Sequence, residues 1–493
     1  MQLVELALSR LHRPTRCLRR VDCVRRGVAS RDLSAFLLEM RRLEEYKEEE
    51  HLHLLGEVLD LAHGTLEEQT AATLEAIGER VPRIYRPVLR ARAPFGDGPE
   101  LVGVPHFLIL DRDDYVIREV AYVLHADETH NPDWLRRLEA YAWLYEANTL
   151  RPPAGLQYVN VDGEVHDVAY QGPAKVLDEL RQVYEVGTNG LAKYEPVGEV
   201  RCRLCRFREH CFAKALADKD PAVLPAVDLS LARRLRELGI RSYTELPAAF
   251  TAKTLAAVER PFGTRMRRVG RKAKVILDQV SAFESGRTIR RKKPELPAGD
   301  RYVLFDVLGL PEQVHASGRV YVWGIETSPL GADSYRSSVA GPGAKGGREA
   351  WFGFLRNAAA VLKKQGDLPF FHWSRFDKDR LLEYASRWGD RDGIADRVAR
   401  NLFDLRLAAR DAVAIPDTSY SICTVEQHAG FRRTRSQQES DEDIARYIRA
   451  VETKDEALRS ELLDRVIERN REDLAANRAV LGWLRGLADT AES

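Results

Sequence analysis

The run Cys202-Arg-Leu-Cys205-Arg-Phe-Arg-Glu-His-Cys211 constrains this chain more than any other stretch. Two thiolates separated by two residues can converge on one soft metal centre from a tight turn, and a third follows within a helical turn or two. A fourth ligand must come from elsewhere, and Cys17, Cys23 and His210 are the candidates. If it were Cys17, the centre would close a loop of about 185 residues and act as a staple by removing chain entropy. Spacing alone does not separate zinc from an iron–sulfur cluster. Three unrelated buried cysteines are the alternative. The six cysteines of a 493-residue chain do not make a disulfide framework.

Composition bounds the rest. With 44% hydrophobic and 31% charged residues the chain can bury several cores, and its length suits about three domains. Lys+Arg (76) and Asp+Glu (75) leave a formal charge of +1, which excludes a histone-like polycation but not local basic patches. No stretch approaches the ~18 apolar residues of a membrane span. The first twenty residues lack the order of a secretory signal. A cytoplasmic protein without membrane partners is expected.

The patterning is mixed α/β. Residues 1–90 read as mostly helical, 101–110 and 115–123 as two buried strands joined by Asp111-Arg112-Asp113-Asp114, and 132–147 as a helix. Another strand is expected at 156–161. Residues 217–285 read as helical and basic, with turns at Gly239 and Phe262-Gly263. A second α/β segment starts at Tyr302, passes a Gly-rich loop at 341–347 and ends in long helices from about 440 to 488. That loop lacks the Lys-Ser/Thr ending of a phosphate-binding loop and reads as flexible surface. The expected domains are 1–216, 217–298 and 299–493.

The Cys-x2-Cys-x5-Cys run after a strand-rich core, with an upstream Cys17-Leu-Arg-Arg-Val, resembles the iron–sulfur RecB-like nucleases. These include the CRISPR-associated Cas4 group and the C-terminal nuclease of AddB. The overall order resembles the stand-alone TM0106-type RecB-like nucleases. In that group a PD-(D/E)XK core and cysteine cluster precede a helical module and an RNase H-like DEDD exonuclease domain. The resemblance implies a [4Fe–4S] cluster on Cys17, Cys202, Cys205 and Cys211, with Cys23 in reserve.

It also implies two acidic centres, each with a residue missing. Gly103-Val104-Pro105-His106-Phe107-Leu108 matches the family's G-x-P-D-F-L, with His106 at the Asp position. Arg118-Glu119-Val120-Ala121 matches the D/E-x-K strand, with Ala121 in place of the lysine that would offset phosphoryl charge. Arg137 stands four residues before Tyr141, where a Gln is usual. Glu48, with His51 nearby, and Glu119 are the residual acidic positions. In the C-terminal domain Asp306, Asp377 and Asp473 match the DEDD metal ligands, Asp404 supports them, and Leu308 replaces the Glu. The expected reading of both centres is a degenerate nuclease scaffold, with Mg or Mn binding still chemically open.

Basic residues are unevenly placed. Arg10, Arg13, Arg16, Arg19, Arg20, Arg25 and Arg26 form one group. Arg265, Arg267, Arg268, Arg271, Lys272 and Lys274, with Arg287, Arg290, Arg291, Lys292 and Lys293, form another that suits phosphate contacts. Residues 224–240 have the outline of a helix-hairpin-helix, although Asp228 stands where close phosphate approach is needed. The expected function is nucleic-acid binding by a protein of nuclease architecture with impaired catalysis, as a structural or targeting component in DNA repair or defence. DNA or RNA is the expected partner, with a helicase or another repair or defence protein. The alternatives are an active Mg/Mn-dependent DNA or RNA nuclease, and a protein scaffold that binds no nucleic acid.

Overall fold

Pro105 has no amide hydrogen to donate, and the single strand expected over 101–110 breaks there into Glu100–Gly103 and Phe107–Asp111, which belong to different sheets. The computed structural model describes residues 5–7, 17–91, 95–96, 100–123, 125–126, 131–191, 193–310, 319–434 and 439–489. Arg10, Arg13 and Arg16 lie outside them. The chain divides into two units, one mainly of residues up to 195 and the other mainly of residues from 196 onward. Among the described residues no helix is long and apolar enough to cross a membrane.

The first unit is built on a six-stranded sheet. Its order is Leu59–Asp60, Arg83–Tyr85, Phe107–Asp111, Asp114–Val120, Gly155–Val159 and Val165–Val168. The expected hairpin forms the middle of it, with Phe107 opposite Arg118. Helix Pro132–Thr149 buries Trp134, Leu138, Tyr141, Leu144 and Tyr145 in the same core as Leu108, Ile117 and Ala121. Gly103 makes this contact possible: a Cβ there would lie 2.6 Å from Leu144 Cδ1 and 2.8 Å from Tyr141 Cδ1.

The second unit contains a five-stranded sheet in the order Tyr335–Val339, Val320–Ser328, Tyr302–Gly309, Phe370–His372, Leu402–Asp404. The first three strands pair antiparallel and the last two join in parallel. Strand alternation gives the two faces different tasks. Phe305 and Trp323 stack on one side with Phe354 of helix Gly343–Gln365, so residues from 343, expected as loop, begin a helix. Leu304 packs on the other side with Leu474, Val480 and Leu481 of the long helix Glu456–Asp489. Asp306 shares the parity of Leu304, and the register puts Gly324 opposite it. A Cβ on Gly324 would sit 1.8 Å from Asn470 Oδ1, so the absent side chain is what lets the helix bring Asn470 onto the sheet.

The middle segment departs from its expected all-helical character. Helices Leu229–Glu237, Ala252–Ala257 and Lys272–Ser285 are present, but an antiparallel ribbon, Glu259–Phe262 with Arg265–Arg268, lies between the last two. In the segment with a helix-hairpin-helix outline, the amides ahead of the first helix are used internally. Ala226 N–H donates to Gln279 Oε1 at 3.1 Å and Val227 N–H to Leu224 O, so neither is available to a phosphate. Asp228 caps helix Leu229–Glu237 and accepts from Arg260 Nε at 3.0 Å. Its carboxyl lies at about 2, where hydrogen bonds from Arg260, Leu231 and Ser230 outweigh the opposing effect of burial.

Candidate functional site

In the first unit the expected acidic positions do meet. Helix Ala35–Leu55 carries Glu48, and strand Asp114–Val120 carries Glu119, whose exposure is 0%. His106 links them: its N–H donates to Glu119 Oε1 at 2.6 Å, its Nδ1 accepts from Val120 N–H at 2.9 Å, and its Nε2 lies 3.5 Å from Glu48 Oε2. Burial, with Arg137 and Arg86 nearby, pushes the His106 pKa well below its ordinary value. The ring is therefore neutral, with its Nδ1 lone pair already used by Val120.

The charges are balanced by arginines. Arg137 approaches Glu119 Oε2 at 2.8 Å and lies 4.7 Å over the Trp134 ring. Arg86 pairs with Glu48 Oε1 at 2.6 Å, and Tyr85 Oη donates to the same carboxylate at 2.8 Å. Burial raises Glu119 to about 7, against the attraction of Arg137. Burial opposes the charge on Arg137, but Glu119 and Tyr141 outweigh it and hold its pKa above the ordinary value. Ala121 is buried in the core and His51 is held down to about 4 by burial and then by Arg118. Arg86 was not anticipated, nor was Glu44, which burial raises to about 6 beside Arg137.

In the second unit Asp306, Asp377 and Asp473 come within electrostatic reach of one another. Burial, then repulsion from Asp473 and Asp377, raises the Asp306 pKa well above its ordinary value. Each carboxylate is nonetheless held by protein donors. Asn470 Nδ2 donates to Asp306 at 2.7 Å, and Ser374 N–H donates to Asp377 at 2.9 Å as the cap of helix Arg375–Trp388. His372 Nδ1 lies 3.5 Å from Asp377. Arg433 donates to Asp473 at 2.7 Å and, through two nitrogens, to both oxygens of Glu426 at 2.7 and 2.8 Å. Arg469 adds a bond to Asp473 at 3.2 Å. Asp404 caps helix Leu405–Ala412 through Leu407 N–H, and Leu308 brings no donor. Glu426 and Arg433 had no motif around them to announce their part.

Cys202, Cys205 and Cys211 also lie in the second unit, on short helix Glu199–Cys202, the following turn and helix Arg208–Ala217. Burial raises the Cys202 thiol, and the Cys205 and Cys211 thiols add to that shift, so the three share one neighbourhood. Cys17 immediately precedes helix Leu18–Arg25 in the first unit, and Cys23 is buried on that helix. Among the described residues no group of three His, Cys, Asp or Glu side chains has the spacing to hold an ion.

The expected basic set splits in two. Arg291 is committed internally, to Asp278 at 2.8 Å and to Arg410 O, and Lys292 pairs with Asp411 at 3.1 Å. Lys272 lies 3.9 Å from Asp228. Arg265, Arg267 and Arg268 are exposed on the ribbon.

Comparisons with known proteins give one family match and one distant structural likeness. A solved structure described as SSO0001 shares 16% identity, covering 43% of this chain and 88% of that one, with a TM-score of 0.24. No curated protein matches. Residues 333–485 match the RNase_H superfamily model, a span that includes Asp377 and Asp473 and begins after Asp306. With its three antiparallel and two parallel strands and its converging aspartates, the second unit carries an RNase H-like domain.

Proposed function

We propose that this chain is a nucleic-acid-binding protein of nuclease architecture, a TM0106-type RecB-like unit with a PD-(D/E)XK ancestry joined to an RNase H-like domain, in which neither acidic centre hydrolyses phosphodiesters. The observation that carries this reading is a largely enclosed arginine on a motif carboxylate in each unit: Arg137 at 2.8 Å from Glu119 and Arg433 at 2.7 Å from Asp473. Metal-dependent hydrolysis needs carboxylates that can neutralise Mg²⁺ or Mn²⁺ and so make a bound water nucleophilic. A guanidinium neutralises the same carboxylates, is never deprotonated in a protein, and offers no Lewis acidity. The lost groups compound this, because Ala121 cannot offset phosphoryl charge and Leu308 cannot ligate a second metal. Such a protein serves as a structural or targeting component beside a helicase or another repair or defence enzyme.

The test is incubation with Mg²⁺ or Mn²⁺ and labelled single- and double-stranded DNA and RNA. No cleavage is expected above background, and D306A and D377A should behave as the parent does. Degradation abolished by either substitution would overturn the reading. The second outcome is an Mg/Mn-dependent nuclease, in which the three aspartates would have to close on a cation that their present spacing does not hold. Asp306, Asp377 and Asp473 would hold it, at the expense of the Asn470 and Arg433 hydrogen bonds.

The Cys-x2-Cys-x5-Cys run supports an iron–sulfur cluster within the same proposal, because thiolates are the right donor chemistry for a soft metal centre. In the described structure these thiols are not gathered closely enough to hold an ion, so cluster binding would draw them together. Anaerobically purified protein should contain about four iron and four sulfide per chain and be brown. C202S, C205S and C211S should each lose that content, while C17S and C23S separate the two candidates for the remaining ligand. Stoichiometric zinc without iron would sink the cluster assignment.

A further inference from the structure

We propose that the ribbon Glu259–Arg268 is a groove-inserting contact for double-stranded DNA, a proposal that rests on the nucleic-acid-binding reading above and names its contact element and duplex class. All eight residues from Pro261 to Arg268 are exposed. They include two large apolar side chains, Phe262 at 56% exposure and Met266 at 59%. A free two-stranded ribbon is marginally stable in water, so this one needs an anchor, and it has one at its base. Arg260, 2% exposed, donates to both oxygens of Asp228 at 3.0 Å and to the carbonyls of Arg267 and Arg268 at 3.3 and 3.4 Å. Beyond the strands, Val269 N–H bonds Val258 O and Gly270 N–H bonds Ala256 O, both at 2.9 Å. The base is rigid and internally satisfied, while the distal part carries its side chains into solvent.

Those side chains have the composition of a nucleic-acid contact. Register places Phe262 opposite Arg265 and Pro261 opposite Met266, so one face carries Phe262 with Arg265 and Arg267 and the other carries Pro261 and Met266. The Arg267 guanidinium lies 5.0 Å from the Phe262 ring centroid, which holds cation and ring together before any ligand arrives. Arg268 pairs with Glu259 at 3.1 Å, but among the described residues no carboxylate pairs with Arg265 or Arg267. Unpaired arginines suit phosphates, and exposed Phe and Met suit base edges and thymine methyl groups. The shape selects the duplex. The major groove of B-form DNA, about 12 Å wide, admits a two-stranded ribbon, whereas the A-form groove of double-stranded RNA is too narrow for side chains to read.

The experiment measures binding of a labelled 20-base-pair DNA duplex, each of its single strands and the matching RNA duplex between 50 and 200 mM salt. Wild type, R265Q/R267Q and F262A are compared, with melting curves confirming intact folding. Wild type should prefer the DNA duplex. R265Q/R267Q should lose about tenfold or more in affinity and flatten the log–log salt slope by about 1.8, two phosphate contacts at ~0.9 each. F262A should weaken duplex binding several-fold at unchanged slope. Duplex binding equal to wild type in both variants overturns the ribbon proposal alone, as does an equal loss on all four ligands. Wild type that binds no nucleic acid at 50 mM salt overturns the functional reading as well.

Discussion

Replacing Arg433 by Met should lower the stability of the second unit by about 3–5 kcal/mol, because two buried carboxylates lose their common cation. Arg433 and Glu426 are 4% and 3% exposed, and Asp473 is 10% exposed, so water cannot take the place of the guanidinium. Arg469 remains bonded to Asp473 but, among the described residues, not to Glu426, whose pKa burial already raises against the pull of Arg433. A melting temperature lower by roughly 10 °C is expected for a unit of this size. Adding E426Q and D473N to R433M removes the orphaned charges and should restore most of the loss. A double-mutant cycle on these positions measures the coupling directly. Loss of less than about 1 kcal/mol in R433M would show that the arginine is a surface ornament rather than the counter-ion of this centre.

The matching substitution in the first unit, Arg137→Met, should depend sharply on pH. Glu119 has an ordinary pKa of 4.5 and stands at about 7 in the folded chain. The folded state therefore binds this proton more tightly than the unfolded state does. The resulting stabilisation is fully present below 4.5 and is lost as pH rises through 7, a fall of roughly 3 kcal/mol across the window. At pH 5 Glu119 is protonated in both proteins, and R137M should be nearly as stable as wild type. At pH 8 wild type still pairs the ionised carboxylate with Arg137, whereas R137M must bury it alone or keep it protonated at increasing cost. The penalty at pH 8 should then reach about 3–5 kcal/mol. In R137M/E119Q the pH dependence contributed by this pair should vanish. Urea denaturation of the three proteins at pH 5 and pH 8 provides the measurement, and a penalty of equal size at both pH values would refute the assignment.

Much of the local structure was legible. Alternation and turn residues located the hairpin around Asp111–Asp114, the helix beginning at Pro132, a strand starting at Tyr302, and the long terminal helices. Errors fell where one residue outweighed a pattern. Pro105 interrupts an apolar run that reads as one strand. The ribbon at 259–268 escaped notice because Glu-Arg-Pro-Phe and Arg-Met-Arg-Arg have no apolar alternation, and a two-sided exposed ribbon needs none. Only its Phe262-Gly263 turn was visible.

The acidic positions were readable for a different reason: Glu48, Glu119, Asp306, Asp377 and Asp473 sit in recognisable local strings. Their counter-ions do not. Arg86 is 38 residues from Glu48 and Arg433 is 40 from Asp473, and a single arginine among many carries no local mark of the carboxylate it will meet. The same holds for Asn470, which reaches Asp306 across 164 residues only because Gly324 leaves room.

What the sequence determined by itself is which chemical groups exist. Ala121 has no amine and Leu308 no carboxylate, and three cysteines lie within ten residues, whatever the fold. What tertiary structure decided is how the remaining groups are neutralised. Burial makes an unpaired carboxylate too costly to keep, so packing that removes water also demands a proton, a metal or an arginine beside it. In this chain the fold supplies the arginines, and each unit holds its acidic side chains as an ion-paired centre.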